Sequence, residues 1–238
     1  MNKYINVNGR IYLIPVTLGG DDFLKVIPEK VISLTRQLRY FIVEDIRSAR
    51  RFLRLIDKEF PINDSVFFEL NEHTGETDIT HYLEPVYNGS DIGVLSEAGL
   101  PGIADPGSKI IALAHQKRII VTPLSGPSSI ILALIASGLN GQNFTFNGYL
   151  PVKPAERSAK LRELEKRSSE GFAQILMETP YRNQRMLESI LATCHNETSL
   201  CIAADITLPT ESIRTMRISE WKRELPLIND KLVVFVIQ

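Results

Sequence analysis

Residues 96–107, SEAGLPGIADPG, combine residue types that can build a ligand-binding loop. The stretch contains three glycines, two prolines and the two carboxylates Glu97 and Asp105. Glycine adopts positive φ angles and lets a ligand approach the backbone, and proline reduces the entropy that a loop loses on binding. An apolar run, IGVLS, precedes the stretch, and a helix-like run, SKIIALAHQ, follows it. We therefore predict a rigid ligand cradle between a strand and a helix; a loop that packs only on itself is the alternative.

Similar segments follow other predicted strands. They read PVTLGGDD, EDIRSAR, SGPSS, ETPYR and DITLP. Ligands of open α/β sheets bind beyond the carboxyl ends of the strands, where such segments would lie. In SGPSS, Ser125 or Ser128 could cap the next helix and Gly126 could leave space beside it. A generic helix start is the alternative interpretation of that segment.

The elements that position these segments alternate in type along the chain. The predicted strands are RIYLIPV, YFIVED, DSVFFEL, DIGVLS, RIIVTPL, NFTFNGYL, AQILMET, SLCIAAD and LVVFVIQ. The predicted helices include SARRFLRLIDK, SKIIALAHQK, SSIILALIASG, ERSAKLRELEKRS and NQRMLESILATC. The alternation predicts an α/β fold built from βαβ units around a largely parallel sheet. Because SSIILALIASG is almost entirely apolar, we expect that helix to be buried, and Pro85 should end or kink a helix near Leu83 or Glu84.

The β/α rhythm changes near TPLSGPSS, which suggests two domains. A segment that could form a hairpin, NFTFNGYLP, follows, and a strongly charged helix comes after it. We place the boundary so that residues 1–123 form an N-terminal α/β domain and residues 124–238 form a C-terminal one. Each part then has the size of a small α/β domain.

Composition excludes several classes of protein. The 238 residues are 44% hydrophobic and carry a formal net charge of -1, so the chain lacks the overall basic charge of many nucleic-acid binders. We expect no membrane span and no signal peptide, because no apolar run is long enough. The two cysteines predict free thiols in a reducing cytoplasm. Phosphate-loop, dinucleotide and nucleophile-elbow motifs are absent, and the four histidines have no metal-ligand spacing.

Positive charge is nevertheless concentrated in two predicted helices. The first contains Arg47, Arg50, Arg51 and Arg54, and the second contains Lys153, Arg157, Lys160, Arg162, Lys166 and Arg167. Each set could be a solvated helix face or a surface that contacts phosphates. The sequence leaves both interpretations open.

A colinear set of motifs resembles those of bacterial 16S ribosomal RNA 2'-O-methyltransferases in the tetrapyrrole-methylase superfamily. SEAGLPGIADPG is similar to SDAGTPxISDPG, PVTLGG to PTPIGN, VEDIR to AEDTR and NEHTGE to an EHN stretch. PLSGPSSIILALIASGL is similar to PLPGPSAxxxALxASGL, FNGYLP to FEGFLP and METPYR to YESPHR. The resemblance covers nearly the whole chain, which makes it more specific than any single motif.

The resemblance implies a class III methyltransferase made of two α/β domains, with S-adenosylmethionine in a cleft between them. It also implies a cytoplasmic homodimer that acts on ribosomal RNA or the small ribosomal subunit. No metal is expected. The residues expected to bind the cofactor lie in the loops described above: Leu18, Gly19, Glu97, Ala98, Gly99, Asp105, Pro106, Ser125, Gly126, Pro127, Ser128, Ser129, Thr179 and Tyr181.

Methyl transfer to a ribose needs alignment of the acceptor and help with its proton. The enzyme places an acceptor oxygen or nitrogen in line with the sulfur–methyl bond. Because a ribose hydroxyl is a poor nucleophile, a base or an electrostatic partner should lie nearby. The candidates are Glu44, Asp45, Glu72, His73 and Glu178.

Several positions depart from the family pattern. AADITL stands where the family has ARELTK, so Ala204 and Leu208 replace an arginine and a lysine, and Asp205 replaces a glutamate. Asn229 and Asp230 replace a final GE before the last strand; Gly20 and Glu97 replace an asparagine and an aspartate of the family. These changes keep open a methyltransferase that acts on a tetrapyrrole-like small molecule or a protein side chain. A module that binds the cofactor without transferring methyl is a further alternative.

Overall fold

The computed structural model describes residues 9–71 and 74–238, which form two compact units, Met1–Ser128 and Ser129–Gln238. The boundary between residues 123 and 124 remains a prediction. Each unit contains its own sheet, and the α/β class is confirmed. No helix within the described ranges is long and apolar enough to cross a membrane.

The first unit is a parallel sheet with helices on both faces. Its described strands follow the order β3-β2-β4-β1-β5, and all adjacent pairs are parallel. The strands are β1 (Arg10–Ile14), β2 (Tyr40–Val43), β3 (Val66–Glu69), β4 (Ile92–Leu95) and β5 (Ile120–Pro123). The helices are α1 (Glu29–Gln37), α2 (Ile46–Ile56), α3 (Glu76–His81), α4 (Glu84–Tyr87) and α5 (Gly107–Gln116).

Alternate side chains of these strands enter two separate cores. Ile14 and Phe41 pack in one core with the apolar faces of α1 and α2, whereas Ile11, Ile42 and Val94 pack in the other with α3, α4 and α5. Burial on both faces explains why a strand such as YFIV is a continuous apolar run. The expected break at Pro85 is confirmed, because α3 ends at His81 and Pro85 lies in the first turn of α4.

The second unit differs from the predicted parallel arrangement. Its strand order is β6-β7-β10-β8-β9, in which β6 and β7 are parallel and the other neighbours are antiparallel. The strands are β6 (Phe144–Tyr149), β7 (Ala173–Met177), β8 (Ser199–Ala204), β9 (Ser212–Arg217) and β10 (Val233–Ile237). The helices are α6 (Ser129–Ser137), α7 (Pro154–Ser169), α8 (Asn183–Thr193) and α9 (Ile218–Trp221).

Three sequence-based expectations for this unit are wrong. A largely parallel sheet does not form, and NFTFNGYLP is no hairpin, because β6 pairs in parallel with β7 through the α7 crossover. The helix α6 is also less buried than expected. It packs on the sheet through Ala133 and Leu134, while Ile135 is 70% exposed.

Both cysteines are buried free thiols in the second unit. Cys194 lies in the core between α7, α8 and the sheet. Burial, together with the nearby Glu165 carboxylate, raises the pKa of the Cys194 thiol to about 12. A thiol with so high a pKa stays protonated at neutral pH and does not act as a nucleophile.

Candidate functional site

The strand register brings the predicted ligand-binding loops of the first unit to one edge of its sheet. Ile14 and Val43, the last residues of β1 and β2, are both in register with Leu95 at the end of β4. Glu69 at the end of β3 pairs with Val43, and Pro123 at the end of β5 pairs with Leu13. The five strands therefore end together, and the loops that follow them are neighbours.

The loop from Ser96 to Pro106 is held in shape by its own aspartate. Both carboxylate oxygens of Asp105 lie 2.9 Å from the amide nitrogen of Gly102, and Oδ1 lies 2.7 Å from that of Gly107. Burial of Asp105 raises its pKa, against the opposing effect of the two amide hydrogen bonds. The carboxylate is thus engaged with the loop itself, and we expect Asp105 to support cofactor binding through the shape of the cradle.

The same carboxylate meets the start of α5. The helix begins at Gly107, with Pro106 at the capping position and the Asp105 side chain accepting the first helical amide. The loop backbone has positive φ angles at Gly99 (+72°) and Gly102 (+88°), where glycine avoids strain.

Two further loops of the first unit are locked against this cradle. The Val16 amide donates to the Gly99 carbonyl at 2.9 Å, which joins the loops after β1 and β4. A Cβ placed on Gly126 would lie 2.1 Å from the Cβ of Pro15, so the loop after β5 is in close contact with the loop after β1. A Cβ on Gly99 would lie 3.2 Å from Leu18 and 3.4 Å from the Pro127 carbonyl. The structure thereby brings together most of the cofactor-binding residues predicted for this unit.

A cleft of about 600 Å³ opens beside these loops, and we call it the α2 cleft. Its volume lies within the range of ~300–1,000 Å³ that is typical of small-ligand sites. Its polar lining comes from three elements: the loop after β1 (Thr17, Gly19, Gly20 and Asp21), α2 (Ser48, Arg51 and Arg54) and the loop after β4 (Ser96 and Glu97). Of the predicted cofactor-binding residues, Gly19 and Glu97 line this cleft.

Asp45, a predicted catalytic residue, caps the helix that forms one wall of the cleft. Its side chain accepts a hydrogen bond of 2.7 Å from the Ser48 amide at the start of α2. The hydrogen bond from the Ser48 amide has the largest effect in lowering the pKa of Asp45. The Ser48 hydroxyl and the charge of Arg47 lower it further. This capping role favours a structural function for the carboxylate over that of a base.

Glu44 is the other predicted catalytic residue of this unit that lies within the described residues. Glu44 is half-buried at the end of β2 and lines a cavity of about 10 Å³ together with Asp105 and Pro106. The cavity is no larger than one water molecule requires. Glu72 and His73 lie outside the described residues, and their roles remain predictions.

In the second unit, Glu178 anchors the ETPYR loop after β7. Its side chain is 1% exposed, and Oε1 accepts hydrogen bonds from the Thr179 amide at 2.7 Å and from the Arg182 guanidinium at 2.6 Å. The Arg182 guanidinium lies 5.5 Å from the ring centre of Tyr181, whose side chain is exposed. These bonds favour a positioning role for Glu178, because a single carboxylate oxygen already accepts from both the loop amide and the guanidinium.

The AADITL segment forms a strained, tightly bonded turn next to that loop. Asp205 and Thr207 have φ angles of +52° and +73°, which are unusual for residues other than glycine. The Asp205 carboxylate accepts from Thr210 at 2.9 Å and from Lys231 at 3.1 Å, and despite its burial these groups and the Leu232 amide lower its pKa. Lys231 was missed from the sequence, although its place beside the altered Asn229-Asp230 pair was a signal.

The two basic helices differ in how their charges are satisfied. On α7, Lys153 pairs with Glu156, whereas Glu163 pairs with both Lys160 and Arg167. On α2, none of the four arginines forms an ion pair with any described residue; Arg50 packs over Phe67, and Arg54 donates to the Lys58 carbonyl. The structure therefore favours a solvated face for α7 and leaves α2 available for anions.

Metal chemistry has no candidate centre in the part of the chain that is described. Within residues 9–71 and 74–238, no group of three or more histidine, cysteine, aspartate or glutamate side chains is placed to hold an ion.

The first unit gathers glycine-containing loops at the carboxyl ends of its strands, where α/β proteins bind their ligands. A family model described as Tetrapyrrole (Corrin/Porphyrin) Methylases matches residues 15–222, and the chain belongs to this family. The chain is therefore a methyltransferase that uses S-adenosylmethionine. The resemblance found in the sequence motifs is confirmed.

Individual relatives agree with this assignment. A protein named Ribosomal RNA small subunit methyltransferase I from Vibrio cholerae is 30% identical over 88% of this chain and 69% of its own length. A protein of the same name from Escherichia coli O157:H7 is 28% identical over 92% of this chain and 74% of its own length.

Solved structures show the shared fold. The methyltransferase CobJ has a TM-score of 0.61 and 18% identity, covering 96% of this chain and 93% of its own. Uroporphyrin-III-C-methyltransferase from Thermus thermophilus has a TM-score of 0.57 and 16% identity, covering 97% and 92%.

Proposed function

We propose that this methyltransferase modifies the 2'-hydroxyl of a ribose in small-subunit ribosomal RNA. The observation that carries the proposal is the similarity, at 28–30% identity over 88–98% of the chain, to relatives named Ribosomal RNA small subunit methyltransferase I. The unpaired arginines of α2 add physical support, because RNA binding depends on positive groups that meet phosphates. Ribosomal RNA as the substrate implies a cytoplasmic protein.

The proposed cofactor site lies in the loops of the first unit. A Cβ on Gly99 would lie 3.2 Å from Leu18 and 3.4 Å from the Pro127 carbonyl, so the loops after β1, β4 and β5 come close together at this glycine. When bound, S-adenosylmethionine supplies a methyl group on a positively charged sulfur. We propose that Leu18, Gly19 and Gly99, with Ala98 and Pro106 in the same loops, hold the cofactor. Glu97 and Ser125–Ser128 belong to the same proposed set, while Ser129, Thr179 and Tyr181 lie in the second unit and stay predictions.

The chain's own contribution to the chemistry is orientation and proton removal. Asp105 keeps the cradle rigid, which reduces the reorganisation needed to align the acceptor oxygen. The hydroxyl proton must pass to a base as the oxygen becomes a nucleophile. The hydrogen bonds of Asp45 and Glu178 favour structural roles for these two carboxylates, and Glu44, Glu72 and His73 stay candidates for that base.

A small-molecule acceptor is the second candidate function. It is favoured by Ala204 and Leu208, which replace basic residues of the family pattern. Lys231 lies near this position, but its ion pair with Asp205 neutralises its charge, so it does not replace the lost basic groups. Alkaline digestion of RNA incubated with the enzyme and labelled S-adenosylmethionine separates the two candidates. A ribose 2'-O-methyl group protects the adjacent phosphodiester and keeps the label in an undigested dinucleotide, whereas RNA without label would favour a small-molecule acceptor.

The homodimer is a proposal that rests on the family resemblance, and the exposed apolar side chains of α6 are compatible with it. Ile135 on this helix is 70% exposed and Ile131 is 43% exposed. Sedimentation velocity across a concentration series tests the stoichiometry directly. A single species at the mass of one chain, even at high concentration, would contradict it.

A further inference from the structure

The α2 cleft contains two arginines that are not ion-paired within the described part of the chain. Arg51 and Arg54 both line the cleft, and neither forms an ion pair with a described residue. Arg51 and Arg54 are three residues apart on one helix, so their side chains lie on neighbouring positions of its surface. Thr17 lines the same cleft, and its hydroxyl can donate a hydrogen bond.

Two carboxylates on the loop side determine what kind of anion fits. Asp21 and Glu97 also line the cleft, so its formal charge is close to zero. A small polyanion would be repelled by these carboxylates. A nucleotide unit instead presents one singly charged diester together with neutral sugar hydroxyls, from which carboxylates can accept hydrogen bonds.

We propose that the α2 cleft binds a phosphodiester of the RNA backbone through Arg51 and Arg54. This inference rests on the proposed function and adds the group of the substrate that the chain recognises. A planar guanidinium matches the geometry of phosphate oxygens, and such contacts fix the register of a nucleic acid without reading its bases. Arg51 and Arg54 are thus positioning residues, and the cleft holds the strand beside the predicted cofactor loops.

Basic side chains of α7 provide the matched control. Arg162 and Lys166 are exposed, and neither is paired with a described carboxylate. The variant R162Q/K166Q therefore removes the same charge as R51Q/R54Q. Arg54 also donates to the Lys58 carbonyl, so the single variant R51Q keeps the test valid if the double variant is unstable.

The test measures the affinity of each protein for a short single-stranded RNA over a range of salt concentrations. For R51Q/R54Q we expect roughly tenfold weaker binding, because charged hydrogen bonds are lost. We also expect the slope of log K against log salt to become less steep by about 0.7 for each lost phosphate contact. R51Q should show half of this change in slope, and R162Q/K166Q should match the unaltered protein.

Three results of the binding measurements would overturn the proposal. One is an equal loss of RNA affinity in R162Q/K166Q, which would indicate a general charge effect. Another is unchanged RNA binding in both R51Q and R51Q/R54Q. The third is loss of S-adenosylhomocysteine affinity in R51Q, which would mean that the arginine holds the carboxylate of the cofactor.

Methyl transfer to small ribosomal subunits separates this inference from the proposed function. If R51Q/R54Q shows a raised KM for subunits with kcat nearly unchanged, the phosphodiester site is supported. If the unaltered protein transfers no methyl but shows the expected salt slopes, the proposed function fails while the cleft assignment stands. If R51Q/R54Q methylates subunits with an unchanged KM, the cleft assignment fails while the function stands.

Discussion

At the scale of single residues, Asp105 links the sequence motif to the shape of the site. Its carboxylate accepts the amides of Gly102 and Gly107 and so fixes a loop that has three residues with positive φ, namely Gly99, Gly102 and Ala104. An aspartate can do this because a carboxylate offers several acceptor positions to backbone amides. Asp105 in the SEAGLPGIADPG motif therefore holds the loop backbone in a rigid shape. Direct contact between the Asp105 side chain and the cofactor is a separate prediction.

Replacing Asp105 by alanine should loosen the cradle and weaken cofactor binding. We expect the affinity for S-adenosylhomocysteine, measured by calorimetry, to fall by at least about tenfold, because the loop then loses two buried hydrogen bonds worth ~1 kcal/mol or more each. Asp64→Ala is the control, since Asp64 is an exposed aspartate in a turn away from these loops. Equal affinities in Asp105→Ala and the unaltered protein would show that the loop keeps its shape without this carboxylate.

At the scale of elements, α2 combines a capped start, a buried apolar stripe and a basic face. Ala49, Phe52, Leu53 and Ile56 are buried at helical spacing, and Asp45 caps the first turn. The helix is therefore held firmly against the sheet, and its arginines are held at fixed positions beside the cleft. A rigid element carrying the charges reduces the entropy lost when a ligand binds.

Substitutions of Asp45 separate its capping role from a catalytic one. Asp45→Ala should lower the free energy of unfolding by ~1 kcal/mol at neutral pH, whereas Asp45→Asn, which retains a good cap, should cost less and keep methyl transfer. A base would behave differently, because Asp45→Asn would then reduce kcat by ~10²-fold or more.

The pH dependence of stability provides a second check on Asp45. Its pKa is lowered in the folded chain, so its stabilising effect is present above the ordinary aspartate pKa and is lost as pH falls through the folded value. The difference in unfolding free energy between Asp45→Ala and the unaltered protein should therefore shrink below about pH 4. A difference that stays constant down to the folded pKa would contradict the capping account.

The contact between the loops after β1 and β5 depends on the absence of a side chain at Gly126. A Cβ there would lie 2.1 Å from Pro15, so Gly126→Ala must displace one loop and should destabilise the first unit by ~1–3 kcal/mol. Gly141→Ala is the control, because a Cβ at Gly141 would have no neighbour within 4 Å. We expect thermal unfolding to shift for Gly126→Ala and to stay nearly unchanged for Gly141→Ala. The opposite order would show that Pro15 yields easily.

At the scale of the whole molecule, the sequence predicted much of the fold because its strands and helices have clear periodicities. The nine quoted strands and five quoted helices are all present, with ends that differ by a few residues. The strand β9 was missed, because SIRTMR lies at a sheet edge and alternates polar with apolar residues weakly. The antiparallel pairing in the second unit could not be predicted from the sequence, because it depends on contacts between strands that are far apart in the chain.

The candidate site was predictable as a set of loops, but the role of each side chain was not. Glycines and prolines marked the loops, and the register of β1, β4 and β5 brings them together. The hydrogen bonds that engage Asp45, Asp105 and Glu178 depend on three-dimensional contacts that no motif states. The exposure of Ile135 could not be predicted either, because the sequence of an almost entirely apolar helix does not show which side packs on the sheet.

The most direct test of the proposed function is the transfer of labelled methyl from S-adenosylmethionine to small ribosomal subunits that lack their native modification. We predict incorporation into the RNA of small subunits and none into large subunits from the same cells. Binding of S-adenosylhomocysteine, measured on the same preparation, shows that the enzyme is intact. Cofactor binding without any methyl in the RNA would contradict the account and would direct the search to a small-molecule or protein acceptor.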